Sequence, residues 1–531
     1  MSIEASPRID EKGRMNVLLI ICDQLRRDHL GYVGDPIVST PNIDELAAQG
    51  TDFTRTYTCV PTCAPNRASL FTARMPSAHG LRVNGMSLKW DTPTVTKALA
   101  DAGYETHLVG KSHLQPYGIG PGDKTIEMGT GAYFPDTDGD GADYTHEFAT
   151  RSRAEYVDYR DYYGWQGADM TLQHGDFVQG HYYWWLKDKG IAWEEVVGVK
   201  HALATDPDWP STVYKPSLPE DLYPTAFVQD RTIAALREYA RRGKPFFLTC
   251  SFPDPHHPFD CPEPWSWLHK PEEVDLPENR SRSYEGKPWW HKAAMEGEPG
   301  DPKFAEVRKA YSRIQPQTDE QLREIIANTY GQIAFIDHQV GRLMIALQEA
   351  GIAENTIVIY ISDHGDWLGD HGLILKGPMH YEGLLRVPMI VKGPGVRAGL
   401  AVDQPVSTLD LAPTFFDYAG AEALQAQHGA SLRPLLETEG AEREFALNEW
   451  GLLPGRVGVA LELRTVRTRQ HKMTVDLISG AGELYDLVAD PGERVNLFDA
   501  PEAAEVRARL EGYVRSRPDD LRPHGVPVGT A

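Results

Sequence analysis

Four apolar runs, far apart along the chain, each break off into polar residues, and this pattern restricts the fold more than any other feature. Asn16 to Ile21 passes into Cys22-Asp23-Gln24, and Thr106-His107-Leu108-Val109 into Gly110-Lys111-Ser112-His113. Pro245 to Phe252 passes into Pro253-Asp254-Pro255-His256, and Thr356 to Ile361 into Ser362-Asp363-His364. Short continuous apolar runs are the mark of strands buried on both faces, which are parallel strands covered by helices. Helical patterns fall between them, at Pro41 to Gly50, Val95 to Ala102 and Thr225 to Arg241. A long one opens on the capping-box pattern Thr318-Asp319-Glu320-Gln321 and carries Ile333, Ile336, Val340, Leu343 and Leu347 on one face. The alternation predicts an α/β fold with a large, mostly parallel sheet. Shorter strands are expected at Asp52 to Thr58 and Val387 to Val391.

Two stretches lose this alternation, about 114–223 and 259–317, and read as insertions lining a site. From about residue 441 the pattern changes to short strands and a final helix near Ala503 to Val514. The chain is therefore expected to divide into a large α/β domain over 1–440 and a smaller α+β domain over 441–531. A formal charge of −23 argues against nucleic-acid or anionic-membrane partners, and an anionic substrate would need local attraction. Five cysteines, an odd number, suit a reducing compartment better than a disulfide framework. The polar Met1 to Arg14 segment has no signal-peptide pattern and no run approaches a membrane span, so a cytoplasmic location is expected.

In an open α/β sheet the ligand site lies outside the carboxyl ends of the parallel strands. Taken singly, Asp23 or Asp363 could cap a helix, Lys111 could be a solvated turn residue and His256 a structural histidine. Together, Asp23, Gln24, Asp363 and His364 make an oxygen-rich cation site with one nitrogen, suited to Ca²⁺ or Mg²⁺ and tolerant of Mn²⁺. Arg67, Lys111, His113, His256 and Lys376 add donors that would hold a tetrahedral oxyanion. Pro61-Thr62-Cys63-Ala64-Pro65-Asn66-Arg67 leads into a helix expected from Arg67 to Arg74, which puts Cys63 just before a helix N-terminus, where a thiol's pKa falls. A thiol beside a hard cation is chemically mismatched, which suggests that Cys63 is a precursor.

On these residues the chain resembles the type I, formylglycine-dependent sulfatases of the alkaline phosphatase superfamily, relatives of arylsulfatases and phosphonate monoester hydrolases. The signature Cys-x-Pro-x-Arg stands here as Cys63-Ala64-Pro65-Asn66-Arg67, followed by Leu70-Phe71-Thr72-Ala73-Arg74. Thr40-Pro41-Asn42-Ile43-Asp44, Leu375-Lys376, Glu483-Leu484-Tyr485-Asp486-Leu487 and Asp490-Pro491-Gly492-Glu493 with Asn496-Leu497 extend the likeness almost to the end. Departures are Asn66, where many relatives have serine, Gln24 in place of a second aspartate, and His364 in place of asparagine.

The resemblance implies an alkaline-phosphatase-like α/β/α sandwich with a short antiparallel sheet in the C-terminal domain, and a sulfuric ester hydrolase acting on a small-molecule sulfate monoester. It assigns one divalent metal, Ca²⁺ first with Mn²⁺ or Mg²⁺ as alternatives, to Asp23, Gln24, Asp363, His364 and the modified residue 63. A separate formylglycine-generating enzyme would oxidise Cys63, and the aldehyde hydrate would attack sulfur to give a covalent sulfo-enzyme. Arg67 and Lys111 would hold the hydrate and the sulfate, His256 and Lys376 would serve the leaving oxygen, and His113 would deprotonate the second hydroxyl. Asn84 would donate to the oxyanion, or sit in a surface turn. His174, Asp176, His181, Tyr182, Tyr183, Trp184 and Trp185 read equally as a substrate wall or as insertion core. Cys22, Cys59, Cys250 and Cys261 read as structural, and His257 and His371 stay undecided. The rival readings are a phosphonate monoester or phosphodiester hydrolase of the same superfamily and a non-catalytic binding protein with unmodified Cys63. The particular ester and the oligomeric state, a homo-oligomer included, are open.

Overall fold

The strand at the centre of the molecule, β1 (Asn16–Cys22), has every residue buried, with Val17 to Ile21 fully shielded from solvent. Each such aliphatic side chain contributes roughly 1.5–3 kcal/mol on burial. Alternate residues face opposite layers, so a one-residue slip would exchange the two faces. The computed structural model describes residues 14–84, 86–115, 162–206, 208–209, 212–300, 302, 317–452, 454 and 458–522. Residues 1–13 of the polar Met1 to Arg14 segment, and residues 116–161 and 303–316 of the two expected insertions, lie outside the described residues.

Eight further strands join β1 in one sheet: β2 (Thr51–Phe53), β3 (Glu105–Lys111), β4 (Gly167–Leu172), β5 (Gln179–Gly180), β6 (Phe246–Ser251), β7 (Thr356–Ser362), β8 (Met389–Lys392) and β9 (Leu400–Val402). Their order is β9-β2-β8-β7-β1-β6-β3-β4-β5. The five neighbours β7, β1, β6, β3 and β4 are mutually parallel, while β5 and β8 pair antiparallel at the flanks of that block. Val17, Leu19 and Ile21 pack on one face against α1 (Cys63–Thr72) and the helices Val95–Asp101 and Leu411–Ala419. Leu18, Ile20 and Cys22 pack on the other against Pro41–Ala48, α2 (Pro224–Arg242) and α3 (Asp319–Glu349). The result is the expected α/β/α sandwich, and α3 begins with the capping box read at Thr318 and Gln321.

Several expectations change in detail. The run Asp52 to Thr58 is two strands, β2 in the main sheet and Thr56–Tyr57 in a three-stranded ribbon with Arg386–Val387 and Val406–Ser407. The strand expected at Val387 to Val391 divides at Pro388, which has no N–H for a ladder. The first insertion is not wholly irregular, since β4 and β5 lie inside it and widen the main sheet, and His181–Asp188 is a helix. After residue 441 four antiparallel strands, β10 (Ala446–Leu452), β11 (Leu461–Arg467), β12 (His471–Asp476) and β13 (Gly482–Asp486), precede the helix Ala504–Arg515. Among the described residues no helix is long and apolar enough to cross a membrane.

Candidate active site

The carboxyl ends of the five parallel strands meet on one rim. Cys22 pairs with Ser362, so Asp23 and Asp363 leave β1 and β7 at the same level. Gln24 takes a left-handed backbone, φ +67°, and its N–H donates to Asp363 Oδ1 at 3.1 Å. His113, Gln173 and Leu375 share that sign of φ, at +62°, +70° and +68°. A non-glycine residue in this region costs of order 1 kcal/mol or more, and here each adjoins or carries a side chain on the rim.

Arg67 ties four strand ends together. Its Nε donates to Asp363 Oδ2 at 2.7 Å, Nη2 to Asp23 Oδ2 at 3.4 Å, and Nη1 to both the Lys111 carbonyl and Ser251 Oγ at 2.8 Å. The residue is fully buried, and the two carboxylates hold its charge on despite desolvation. All three guanidinium nitrogens are thus engaged by protein oxygens, whereas the resemblance gave this group to the hydrate and sulfate.

Cys63 is the first residue of α1, with Thr62 in the N-cap position, not a residue ahead of a helix starting at Arg67. The proline at 65 is no obstacle, because a first-turn N–H has no partner within the helix. Sγ lies 3.1 Å from His364 Nε2, 3.1 Å from Lys376 Nζ and 3.7 Å from Asp23 Oδ1. Burial and Asp23 oppose ionisation of the thiol, but Lys111, Lys376 and His364 outweigh them and bring it down to about 7. Burial instead pushes Cys22, Cys59, Cys250 and Cys261 up. Asn84 is not a remote surface turn, since its Oδ1 accepts from the Ala64 N–H at 3.1 Å.

Lys376 reaches inward beside the sulfur, with Nζ 2.9 Å from Gln24 Oε1, 3.0 Å from His256 Nε2 and 3.3 Å from His364 Nε2. Gln24 is turned by Asp366, whose Oδ2 accepts from its Nε2 at 2.6 Å. His364 donates Nδ1–H to the Gly365 carbonyl at 2.8 Å, which leaves the Nε2 lone pair facing Asp23, Asp363 and Cys63. His256 is oriented the same way by the His257 carbonyl at 2.7 Å. Lys111 Nζ donates to Asp23 Oδ2, and its ammonium with Arg67 overcomes burial to hold that carboxyl well below the usual range. His113 is buried beside Lys111 and Arg67, and desolvation followed by those charges depresses its basicity.

Ligand atoms of Asp23, Cys63, Asp363 and His364 lie within 4.8 Å of one another, and both carboxyls are fully buried. Buried carboxylates facing each other, an imidazole lone pair fixed by a backbone carbonyl and the nearby Gln24 oxygen form a donor set that fits a hard divalent cation.

Of the insertion residues read as a possible substrate wall, all of them described, His174 alone reaches this constellation, 2.5 Å from Lys111 Nζ and stacked on His256. Asp176 accepts from the Tyr214 hydroxyl and the Gly198 N–H, Tyr182 donates to the Leu222 carbonyl, and His181 accepts from the Met170 N–H, so these three are insertion core. Tyr183, Trp184 and Trp185 are half-buried on the helix His181–Asp188. His257 stacks on His256 with ring centroids 4.1 Å apart, and His371 stacks on Tyr381. Asp366 and Ser251 were not singled out from sequence. The apolar run before Ser251 and the two-residue spacing of Asp366 from His364 were the available signals.

A mostly parallel sheet whose rim gathers two buried carboxylates, a histidine, a cysteine and two ammonium groups has the architecture of the alkaline-phosphatase-like hydrolases. The sequence pattern of the family described as Sulfatase matches residues 15–421, and the chain belongs to that family. A second pattern, N-sulphoglucosamine sulphohydrolase, C-terminal, matches residues 369–518. An arylsulfatase of Clostridium perfringens is 30% identical over 522 residues, covering 94% of this chain and 95% of that protein. The crystal structure of a phosphonate monoester hydrolase of Agrobacterium radiobacter superposes with a TM-score of 0.72 at 26% identity, covering 95% of each chain. A phosphonate monoester hydrolase from Silicibacter pomeroyi, 24% identical with a TM-score of 0.74 and 96% of each chain covered, shares the fold.

Proposed function

We propose that this sulfuric ester hydrolase cleaves small sulfate monoesters with Cys63, converted by a separate maturation enzyme to Cα-formylglycine, as the precursor of its nucleophile. The observation that carries the reading is the position of Cys63 Sγ, 3.1 Å from both His364 Nε2 and Lys376 Nζ, between a cation's donor set and an ammonium. An aldehyde hydrate there supplies two geminal hydroxyls, one to attack sulfur and one through which sulfate departs. A cation held by Asp23, Gln24, Asp363 and His364, Ca²⁺ first and Mn²⁺ or Mg²⁺ as alternatives, supplies polarisation of the ester oxygens and favours an ionised hydroxyl.

The chain's own groups divide the remaining work. Arg67 fixes the two carboxylates and through them the level of the rim. Lys111, anchored on Asp23, presents positive charge to the sulfate. Lys376 Nζ, 3.0 Å from His256 Nε2, is the acid of that pair: its ammonium supplies the proton that reaches the departing oxygen and becomes the neutral amine, with His256 orienting it. His113 takes the proton from the second hydroxyl of residue 63, and Asn84 holds the Ala64 amide at the start of α1. Arg67, Lys111 and Lys376 gather positive groups on one rim of a chain of formal charge −23. That supplies the local attraction an anionic ester requires.

A second reading, phosphonate monoester or phosphodiester hydrolysis, is favoured by the likeness to phosphonate monoester hydrolase and by the Gln24 and His364 ligand positions. One preparation assayed on an aryl sulfate, an aryl phosphonate monoester and a diaryl phosphate separates the two. The largest kcat/KM is expected on the sulfate, and a dominant phosphorus ester would overturn the sulfatase assignment.

A further inference from the structure

One histidine on the rim carries none of the roles above. His174 follows β4 through Gln173, whose backbone is left-handed at φ +70°. Its turn is pinned from behind, because the Asp176 N–H donates to Asp260 Oδ2 at 2.8 Å, and Gly175, at φ +54°, passes so close to Asp260 that an added Cβ would lie 2.2 Å from Oδ1. The imidazole therefore arrives on the rim already oriented. Its Nε2 lies 2.5 Å from Lys111 Nζ and 3.7 Å from Asp23 Oδ2. An ammonium has only donors, so Nε2 is the acceptor in that contact. The ring lies on His256 with centroids 3.5 Å apart and planes inclined by 12°.

These contacts are with the groups assigned to the sulfate and to the leaving oxygen, not with apolar insertion core. Asp23 and His174 together fix the direction of the Lys111 ammonium, while the His257 carbonyl and the face of His174 fix the position and tilt of the His256 ring. We propose that His174 is a positioning residue for both ends of the reaction: its Nε2 aims Lys111 at the sulfate, and its ring face holds His256 at the angle that orients Lys376 toward the leaving oxygen. The proposal rests on the sulfatase reading and adds to it a residue outside the signature motifs.

Two substitutions separate the functions. His174→Phe keeps a ring against His256 and removes the acceptor from Lys111; His174→Gln keeps an acceptor and removes the ring. Both are assayed on a pair of aryl sulfates that differ in leaving-group acidity, with melting temperatures measured alongside. Because general acid catalysis commonly contributes 10²-fold or more, His174→Gln is expected to lose about tenfold more kcat/KM on the poorer leaving group than on the better one. His174→Phe is expected to raise KM about tenfold on both esters and leave the leaving-group dependence unchanged. Variants that stay within about twofold of wild type, a His174→Gln that loses the same factor on both esters, or a His174→Phe that lowers kcat with KM unchanged would overturn the proposal. If one variant does not fold, the signature expected of the other decides. A wild-type enzyme inactive on both sulfates counts against the sulfatase reading instead, and the same ratios taken on phosphate diesters with matched leaving groups then judge His174.

Discussion

Asn66 is fully buried and uses both ends of its amide. Oδ1 accepts from the Cys59 N–H at 3.1 Å and from Thr408 Oγ1 at 2.8 Å, while Nδ2 donates to the Asp363 carbonyl at 2.5 Å. The side chain bridges the loop before Cys63 and the end of β7, so a departure from the serine of many relatives has a structural use here. Removing it takes a partner from the Thr408 hydroxyl and from the Asp363 carbonyl, each costing about 1–3 kcal/mol, while the Cys59 N–H keeps Thr408 Oγ1 at 3.1 Å. Asn66→Ala is expected to lower unfolding stability by about 2–4 kcal/mol, measured by denaturant titration. Asp23, Lys111, His256 and Asp363 were legible because each stands where an apolar run stops, and Cys63, Arg67 and Lys376 because they stand in motifs. His174 was legible only as substrate wall or insertion core, not as a rim residue, because β4 reads Gly-Ala-Asp-Met-Thr-Leu, too short and too polar to announce a strand. Its Asp169 is accommodated by His107 and Arg231, a tertiary contact that sequence pattern does not reveal.

The loop that carries Lys376 is gripped from the C-terminal sheet. His380 Nδ1 lies 2.7 Å from Thr465 Oγ1 on β11, and the His380 carbonyl accepts from Lys472 Nζ on β12. Lys472 also pairs with Glu493, whose Oε2 accepts from the Glu382 N–H at 2.7 Å, and Arg467 holds the Glu382 carboxylate. The Glu483-Leu484-Tyr485 and Asp490 to Glu493 motifs were legible as motifs, but their purpose was not, since it lies in contacts about a hundred residues distant. Tyr485 and His291 fix the Glu483 carboxylate, and Glu493 braces the segment beyond Lys376. Breaking a buried pair by removing one partner typically costs about 3–5 kcal/mol. Lys472→Met is therefore expected to destabilise the chain by about 3 kcal/mol, read as a lower midpoint in urea. A midpoint unchanged from wild type would remove Lys472 from this brace.

For the molecule as a whole, the parallel core was readable because strands shielded on both faces leave continuous apolar sequence, and β1, β3, β6 and β7 fall where those runs stand. The flanks were less readable. β2, β5, β8 and β9 are two to four residues long, and their pairing depends on partners rather than on local pattern. What the sandwich accomplishes is the gathering of Asp23, Lys111, His174, His256 and Asp363 from five strands on one rim, where Cys63 places its buried sulfur beside Asp23, His364 and Lys376. The central claim is that this sulfur is exchanged for oxygen before the enzyme works. Mass spectrometry of the tryptic peptide Thr56 to Arg67 after alkylation tests it, with Cys59 in the same peptide reporting ordinary thiol chemistry. The account predicts that Cys63 is found as the aldehyde or its hydrate and that sulfate-ester turnover rises in proportion to the converted fraction across preparations. Fully active protein in which Cys63 alkylates as completely as Cys59 would contradict it.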